Sequence, residues 1–481
     1  MNKIMKSEYF LLSLIFILGL IVRLYKVNNP IADWHSWRQA DTASVTRSFV
    51  SKGIKFLYPT YQDVSGIQSG IYNPKGYRFV ELPLYNALHA ILVSNFPIFS
   101  LELWGRFVSI LCSLISAFFL YLIGKKFLGS MGGILTAFFF LFLPYNIYFS
   151  RVILPEPMAV ALALSGMWFF VRFIEGNRWI WLYVSGVFMS LSMLLKPFTG
   201  FYLIPLFYLY FQKYIWKKTI KDAKTLIKLL IFADIVIIPF FAWRVWVNNF
   251  PAGIPFFEWA FNGDRIRFRP AFFRWIFAER IGKLILGIWG LVPFSIGLLT
   301  VKKSKLFSLM FFIGTILYVV VVATANVRHD YYQIFLIPPI SLILAQGTLY
   351  LWKSKEFISN VAKPLTIFSI VMMIFVSFYQ TKEYYKIDHP EIIEAGRAVD
   401  SLTPKDALVI ASYNGDTAFL YQTNRWGWPV VDDSIENLIK KGADYYVSVN
   451  FTDPDTTYVM EKYKVIKKEP NFVLVDLQNP L

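Results

Sequence analysis

The stretch from Tyr9 to Tyr25, YFLLSLIFILGLIVRLY, is apolar over a length that suits one passage through a bilayer. Similar runs recur through most of the chain. They fall near residues 8–25, 103–123, 131–149, 157–174, 179–195, 198–213, 226–243, 284–300, 306–324, 332–351 and 364–380, which predicts about eleven crossings. Composition agrees. Charged residues make up 16% of the chain, and hydrophobic ones 56%, whereas a soluble domain carries about 25% charged residues. No small-residue cleavage site follows the first run, so it reads as an uncleaved anchor.

The formal charge of +17 has a topological explanation rather than a nucleic-acid one. With Lys3 and Lys6 inside, the inner loops hold Lys125 and Lys126, Arg172 and Arg178, the lysines of 213–228 and 302–305, and Lys353, Lys355 and Lys363. Nearly every lysine cluster before residue 380 then lies on one side, as the positive-inside rule requires. Cys112 is the sole cysteine, which excludes an internal disulfide and a cysteine metal cluster. No internal repeat, GxGxxG or GxxxxGK[ST] stands in the chain, so nothing points to a soluble nucleotide.

The membrane domain is read as residues 1–380, including a long outer loop over 26–103. Within that loop HSWRQADTASVTRSFVSKG reads as an amphipathic helix at the interface, with Ser36 as its N-cap. Leu82 to Phe96 reads as an interfacial or re-entrant helix, because a crossing there would invert every later loop. A second outer loop runs from Arg244 to about Lys283. Residues 381–481 read as a small soluble α/β domain. HPEIIEAGRAVDSL and DDSIENLIKKG are its helices, and DALVIAS, ADYYVSV and YKVIKKEPNFVLVDL its strands. An odd number of crossings places this domain outside.

Polar residues on the outer side need another explanation. PIADWHSWRQADTAS gathers Asp33, His35, Arg38, Gln39 and Asp41. Arg38 and Asp41 share a helix face and form a plausible surface pair. An acid between Ala32 and Trp34 is costly without a partner or a task. In SRVILPEPMAV, Glu156 stands at the start of a crossing. Ordinary capping accounts for it, and so does a polar cavity, with Arg151 as a candidate partner. Lys196 ends the next outward crossing, where positive-inside has no claim on it. In ATANVRHDYYQ, the set Arg328, His329, Asp330, Tyr331 and Tyr332 suits a phosphate and a sugar face, or an aromatic belt with snorkelling charges. Arg244, Arg265, Arg267 and Arg269 add outer cations for a lipid phosphate.

ADWHSWRQADTA after the first crossing, RVILPEP after the third, a Lys-Pro after the fifth and RHDYYQ near the tenth resemble the GT-C membrane glycosyltransferases. By pattern the chain is similar to protein O-mannosyltransferases and lipid A aminoarabinose transferases over residues 8–350. The resemblance implies an all-α polytopic GT-C fold in the bacterial inner membrane. It implies a polyprenyl-phosphate sugar donor used at the outer face, with an acceptor hydroxyl from lipid, glycan or protein. It aligns Asp33 with the general base, Glu156 with the acid of the second outer turn, and Lys196 with the lysine near the lipid phosphate. Such families have an acid after the first-loop aspartate; here Trp34 follows Asp33, which leaves the role of His35 open.

The chemistry then assigns roles. Asp33 takes the acceptor proton. Lys196 and Arg328, with Arg244, Arg265 or Arg267, stabilise the leaving phosphate. Glu156, His35, Arg38, Gln39, Asp41, Arg151, His329, Tyr331 and Tyr332 hold substrate. A single displacement inverts the anomeric carbon. A divalent metal would need Asp33, His35 and Glu156 to converge, and the chemistry does not require one. The rival reading is a transporter or flippase for a lipid-linked anion.

Overall fold

A computed structural model describes residues 3–215, 223–300 and 306–481. The lysines of 216–222 and 302–305 lie outside the described residues. Two compact units divide the chain. The first holds residues 1–27, 109–243 and 257–383; the second holds 28–108, 244–256 and 384–481.

The first unit is helical, as long apolar runs demand when the backbone must satisfy its own hydrogen bonds. Its helices begin with α1 (Lys3–Arg23) and the body of α4 (Leu101–Leu128); α2 (Ser36–Lys52) and α3 (Leu84–Asn95) between them belong to the second unit. Then come α5 (Ser130–Phe142), α6 (Pro144–Phe149), α7 (Glu156–Gly176), α8 (Trp179–Leu195), α9 (Leu203–Tyr210) and α10 (Ala223–Val247). The set closes with α11 (Leu291–Leu299), α12 (Leu306–Val321), α13 (Ala323–Arg328), α14 (Ile337–Lys353) and α15 (Ser359–Thr381).

Among the described residues, five helical stretches are long and apolar enough to cross a membrane: Leu101–Leu128, Glu156–Gly176, Leu226–Val247, Asp330–Lys353 and Ser359–Tyr385. Ser130–Phe142, Trp179–Leu195 and Leu306–Val321 are shorter apolar helices. Other predicted crossings are helical but interrupted. Pro144 breaks the third at α5/α6, and the sixth passes through 3-10 and π turns on either side of α9. Large apolar side chains on these helices face outward, among them Phe241, Val361 and Phe375 at about 60% exposure, as lipid-facing residues do. The protein is thus a polytopic membrane protein of helices with a C-terminal α/β domain.

In the second unit, α3 spans only 12 residues. At about 1.5 Å per residue this is too short for the roughly 30 Å hydrocarbon core. The helix α2 corrects an expectation. It is not a surface amphipathic helix: Arg38 through Thr46, with Ser48 and Phe49, are all buried, because α3 and a later helix over residues 417–422 both pack against it. Its cap is not Ser36, which is already helical. The chain turns into the helix at His35, whose backbone is left-handed (φ 55°, ψ 37°) and whose side chain makes no capping bond.

Residues 384–481 carry α16 (Glu391–Leu402), β1 (Leu408–Ala411), α17 (Thr417–Gln422), β2 (Trp426–Trp428), α18 (Ile435–Lys440), β3 (Tyr445–Ser448), α19 (Pro454–Lys462), β4 (Tyr463–Glu469) and β5 (Phe472–Pro480). The sheet order is β2-β1-β3-β5-β4. β1 runs parallel to β2 and β3, while β5 is antiparallel to β3 and β4. Ile410, Trp428, Leu438, Tyr446, Val473 and Val475 form its core together with Val64 from the first loop. Residues 28–108 therefore cluster with the C-terminal domain rather than with the membrane helices.

Candidate functional site

The Pro-Glu-Pro sequence starts α7 at Glu156, where an acid faces the positive end of the helix dipole. Pro197 ends α8 and holds Lys196 extended (φ −146°, ψ 110°). The two helices pack side by side. Gly166 permits this approach, since a Cβ there would lie 2.8 Å from Met189 Cγ. Ser185 and Ser192 hydroxyls donate to the carbonyls of Gly166 and Ala159 at 2.8 and 2.7 Å. The end of α8 thus meets the start of α7, and Lys196 Nζ lies 2.9 Å from Glu156 Oε1. Glu156 is fully buried, and among the described residues neither of its oxygens accepts a well-aligned hydrogen bond. A buried carboxylate with one cation and spare lone pairs is equipped to receive hydroxyl donors.

Arg151 goes elsewhere than its sequence neighbourhood suggests. It is fully buried, and its Nη1 donates to the carbonyls of Tyr25 and Lys26 at 2.9 and 2.7 Å, closing the end of the first crossing. Arg328 is more than half exposed and pairs with Asp264 at 3.4 Å. The Thr324 hydroxyl, 2.6 Å away, and then Arg328 hold the Asp264 carboxyl below its usual range. Arg267 donates to the carbonyl of Val321 at 2.8 Å, and Arg265 and Arg269 are exposed. His329 meets the rings of Tyr331 and Tyr332 at 5.8 and 6.3 Å between centroids. Tyr331 is buried while Tyr332 is partly open. Asp330 lies 3.7 Å from Arg280.

In the second unit, Asp33 is 4% exposed and accepts a 2.7 Å bond from Gln39 Nε2. Trp34 stacks on Tyr384, with ring centroids 5.1 Å apart, which pins the loop in front of α2. The expected Arg38–Asp41 pair does not form. Arg38 binds both oxygens of Glu81, at 3.0 and 3.1 Å, and Asp41 pairs with Arg78 and accepts from Thr417 Oγ1 at 2.7 Å. Both acids are buried, and partners from distant segments satisfy them where a neighbour one helical turn away cannot reach. Arg244 lies half-buried in the last turn of α10.

Two further carboxyls surround Asp41. Asp63 accepts from Tyr61 Oη and the Ser65 amide, and Asp416 caps α17 through the Ala418 amide. Burial, with Asp41 nearby, pushes both up to about 6. An acid with a higher pKa folded than unfolded binds its proton more tightly in the fold, so it destabilises above that pKa. Each is expected to cost about 2–3 kcal/mol at neutral pH, relieved as pH falls from about 6 towards 4. Asp400 and Asp433, held at about 2 by their lysine, arginine and asparagine neighbours against any burial, act only below that window. Buried His89, which desolvation lowers to about 4, works in the opposite direction as pH falls below about 6.5, so the two acids are read by difference: the unfolding midpoint of Asp63→Asn relative to wild type should be higher at pH 7 than at pH 5. A difference between the two proteins that stays constant over that range would contradict the assignment.

Residues 88–243 match the family model described as dolichyl-phosphate-mannose-protein mannosyltransferase. No curated protein matches the chain by sequence. The structure of ArnT from Cupriavidus metallidurans bound to undecaprenyl phosphate matches 96% of this chain over 97% of its own, with TM-score 0.65 at 12% identity. The Archaeoglobus fulgidus oligosaccharyltransferase in complex with Zn and sulfate matches 94% of this chain over 69% of its own, with TM-score 0.59 at 11% identity. AglB from the same organism, in complex with an inhibitory peptide and a dolichol-phosphate, covers 96% and 73%, with TM-score 0.60 at 9% identity. The chain has the GT-C fold.

Within this GT-C chain, no three His, Cys, Asp or Glu side chains among the described residues are grouped to hold a metal ion. Sequence reasoning passed over Arg78 and Glu81, which complete the buried pairs around α2. The signal was present: Glu81 stands in RFVELPLY between Val80 and Leu82, as exposed to the argument from cost as Asp33 is. It also passed over Arg280 and Asp264, the partners of Asp330 and Arg328.

Proposed function

We propose that this protein transfers a sugar from a polyprenyl-phosphate donor to a hydroxyl acceptor at the outer face of the bacterial inner membrane. The observation that carries the reading is the course of the chain, from first helix to C-terminal domain, along nearly all of an ArnT described as bound to undecaprenyl phosphate. The interrupted apolar helices are read as crossings too, which gives about eleven and places the C-terminal domain outside.

Asp33 is the general base. Buried and oriented by Gln39, it takes the proton of the acceptor hydroxyl as that oxygen attacks the anomeric carbon. The bond to the lipid phosphate breaks, and the electron pair leaves with the phosphate oxygen. Lys196 offsets the charge that develops there, assisted by Arg328 and by the other outer cations Arg244, Arg265 and Arg267. Glu156 accepts hydroxyls of the donor sugar while holding Lys196 in place. His35, Arg38, Gln39, Asp41 and Arg151 shape the surrounding loops, and His329, Tyr331 and Tyr332 offer ring faces to the sugar. One displacement inverts the anomeric carbon. The Zn in the oligosaccharyltransferase complex makes a divalent ion worth testing by chelation, although among the described residues no three His, Cys, Asp or Glu side chains are grouped to hold one.

The test is release of polyprenyl phosphate from a panel of radiolabelled polyprenyl-phosphate sugars by protein in nanodiscs, with cell-envelope extract as acceptor. One donor should be consumed. Tight lipid binding with no donor consumed would sink the transferase and favour a flippase.

A further inference from the structure

A groove of about 410 Å³ opens in the second unit, away from the residues assigned above. Its size lies in the range of roughly 300–1,000 Å³ typical of small-ligand sites. Lys52, Lys405 and Lys441 line it, together with Tyr72, Trp426 and a single acid, Asp406. The lysines are placed rather than scattered. Lys52 Nζ lies 3.3 Å from the Trp426 ring centroid, and Lys441 Nζ 4.8 Å from that of Tyr72. Gly76 lets the chain lie close to the Trp426 ring, since its φ is +58° and a Cβ there would come within 2.7 Å of Trp426 Cζ3.

Lys405 and Lys441 are held by Asp400 and Asp433, at 2.5 and 2.8 Å, acids that do not line the groove. Lys52 has no carboxylate partner among the described residues, and burial together with Lys55 lowers its pKa. Such a cation gains from an arriving anion what it lacks in the fold. Tyr72 is 37% exposed and lines the groove beside Lys441. Cations supply charge recognition and rings supply a surface for the CH face of a pyranose.

We propose that this groove holds a carboxylate-bearing saccharide, part of the acceptor. The word acceptor rests on the transferase reading; the binding does not. The experiment is calorimetric titration of the full-length protein in phosphatidylcholine nanodiscs. The probes are the trisaccharide of galacturonic acid, maltotriose as its neutral counterpart, and inorganic phosphate.

The acidic trisaccharide should bind, weaken with added salt, and outcompete both other probes. Lys52→Gln and Tyr72→Ala should each weaken it by roughly ten-fold, while donor hydrolysis by Lys52→Gln stays at the wild-type rate. Equal binding of maltotriose, phosphate as tight as the trisaccharide, wild-type affinity in both variants, or no binding at all would each overturn the proposal. Donor turnover without saccharide binding removes the groove alone. Saccharide binding without turnover of any donor removes the transferase and leaves the groove.

Discussion

Asp33→Asn is expected to lower the rate of polyprenyl phosphate release by about 10²–10⁴-fold, the usual contribution of a positioned general base. The exchange is close to isosteric. The new amide oxygen can still accept the Gln39 bond that Asp33 accepts at 2.7 Å, so the loop before α2 should keep its course. What is lost is the lone pair that can take a proton. Single-turnover release and thermal unfolding, measured on one preparation, separate the two effects. An unchanged rate would remove Asp33 as the base and turn attention to Glu156. A lower unfolding midpoint with proportionate loss of activity would mean that the residue is structural.

Lys196→Met should strongly destabilise the membrane unit. It strands the fully buried Glu156 carboxylate, and breaking a buried pair costs about 3–5 kcal/mol. Adding Glu156→Gln should recover most of that loss, because a neutral pair no longer carries the desolvation penalty. Turnover should stay low in the double variant if the proposed roles hold, since neither the cation proposed for the phosphate nor the carboxylate proposed for the sugar is restored. Unfolding in detergent mixtures reads stability, and polyprenyl phosphate release reads function. Recovery of both would make the pair a scaffold. Equal stability of the single and wild-type proteins would show that Glu156 is relieved by another group.

The residues that were legible in the sequence carry local signals. Apolar length marked the helices of the first unit, and turn residues with short alternating runs marked β1, β3, β4 and β5. Pro-Glu-Pro and Lys-Pro marked the ends that bring Glu156 to Lys196, because each motif fixes its own backbone. The partners of α2 were not legible. Helical spacing offers Arg38 the nearest acid, Asp41, but the acid it binds is Glu81, 43 residues away, and no local pattern encodes that. The burial of α2 was hidden for a related reason. Its polar residues look solvent-facing until α3 and α17 are seen to cover them. β2 is only three residues long, too short to alternate, so Trp426 and the groove beside it left no trace in the pattern.

The second unit is assembled from both ends of the chain. Asp41 accepts from Thr417, Arg47 donates to the Tyr421 carbonyl at 3.0 Å, and Val64 completes the core of a sheet that begins at Leu408. On the ribosome, residues 28–108 emerge first, and those that cover them emerge last, after the helices of 109–383. The early loop must wait through the insertion of those helices with its charged helix uncovered and its closing contacts not yet made. Long-range contacts of this kind form slowly and leave unfinished surfaces open to wrong partners. A chain cut short before Thr417 would thus hold the membrane helices and still lack the partners that finish its first loop.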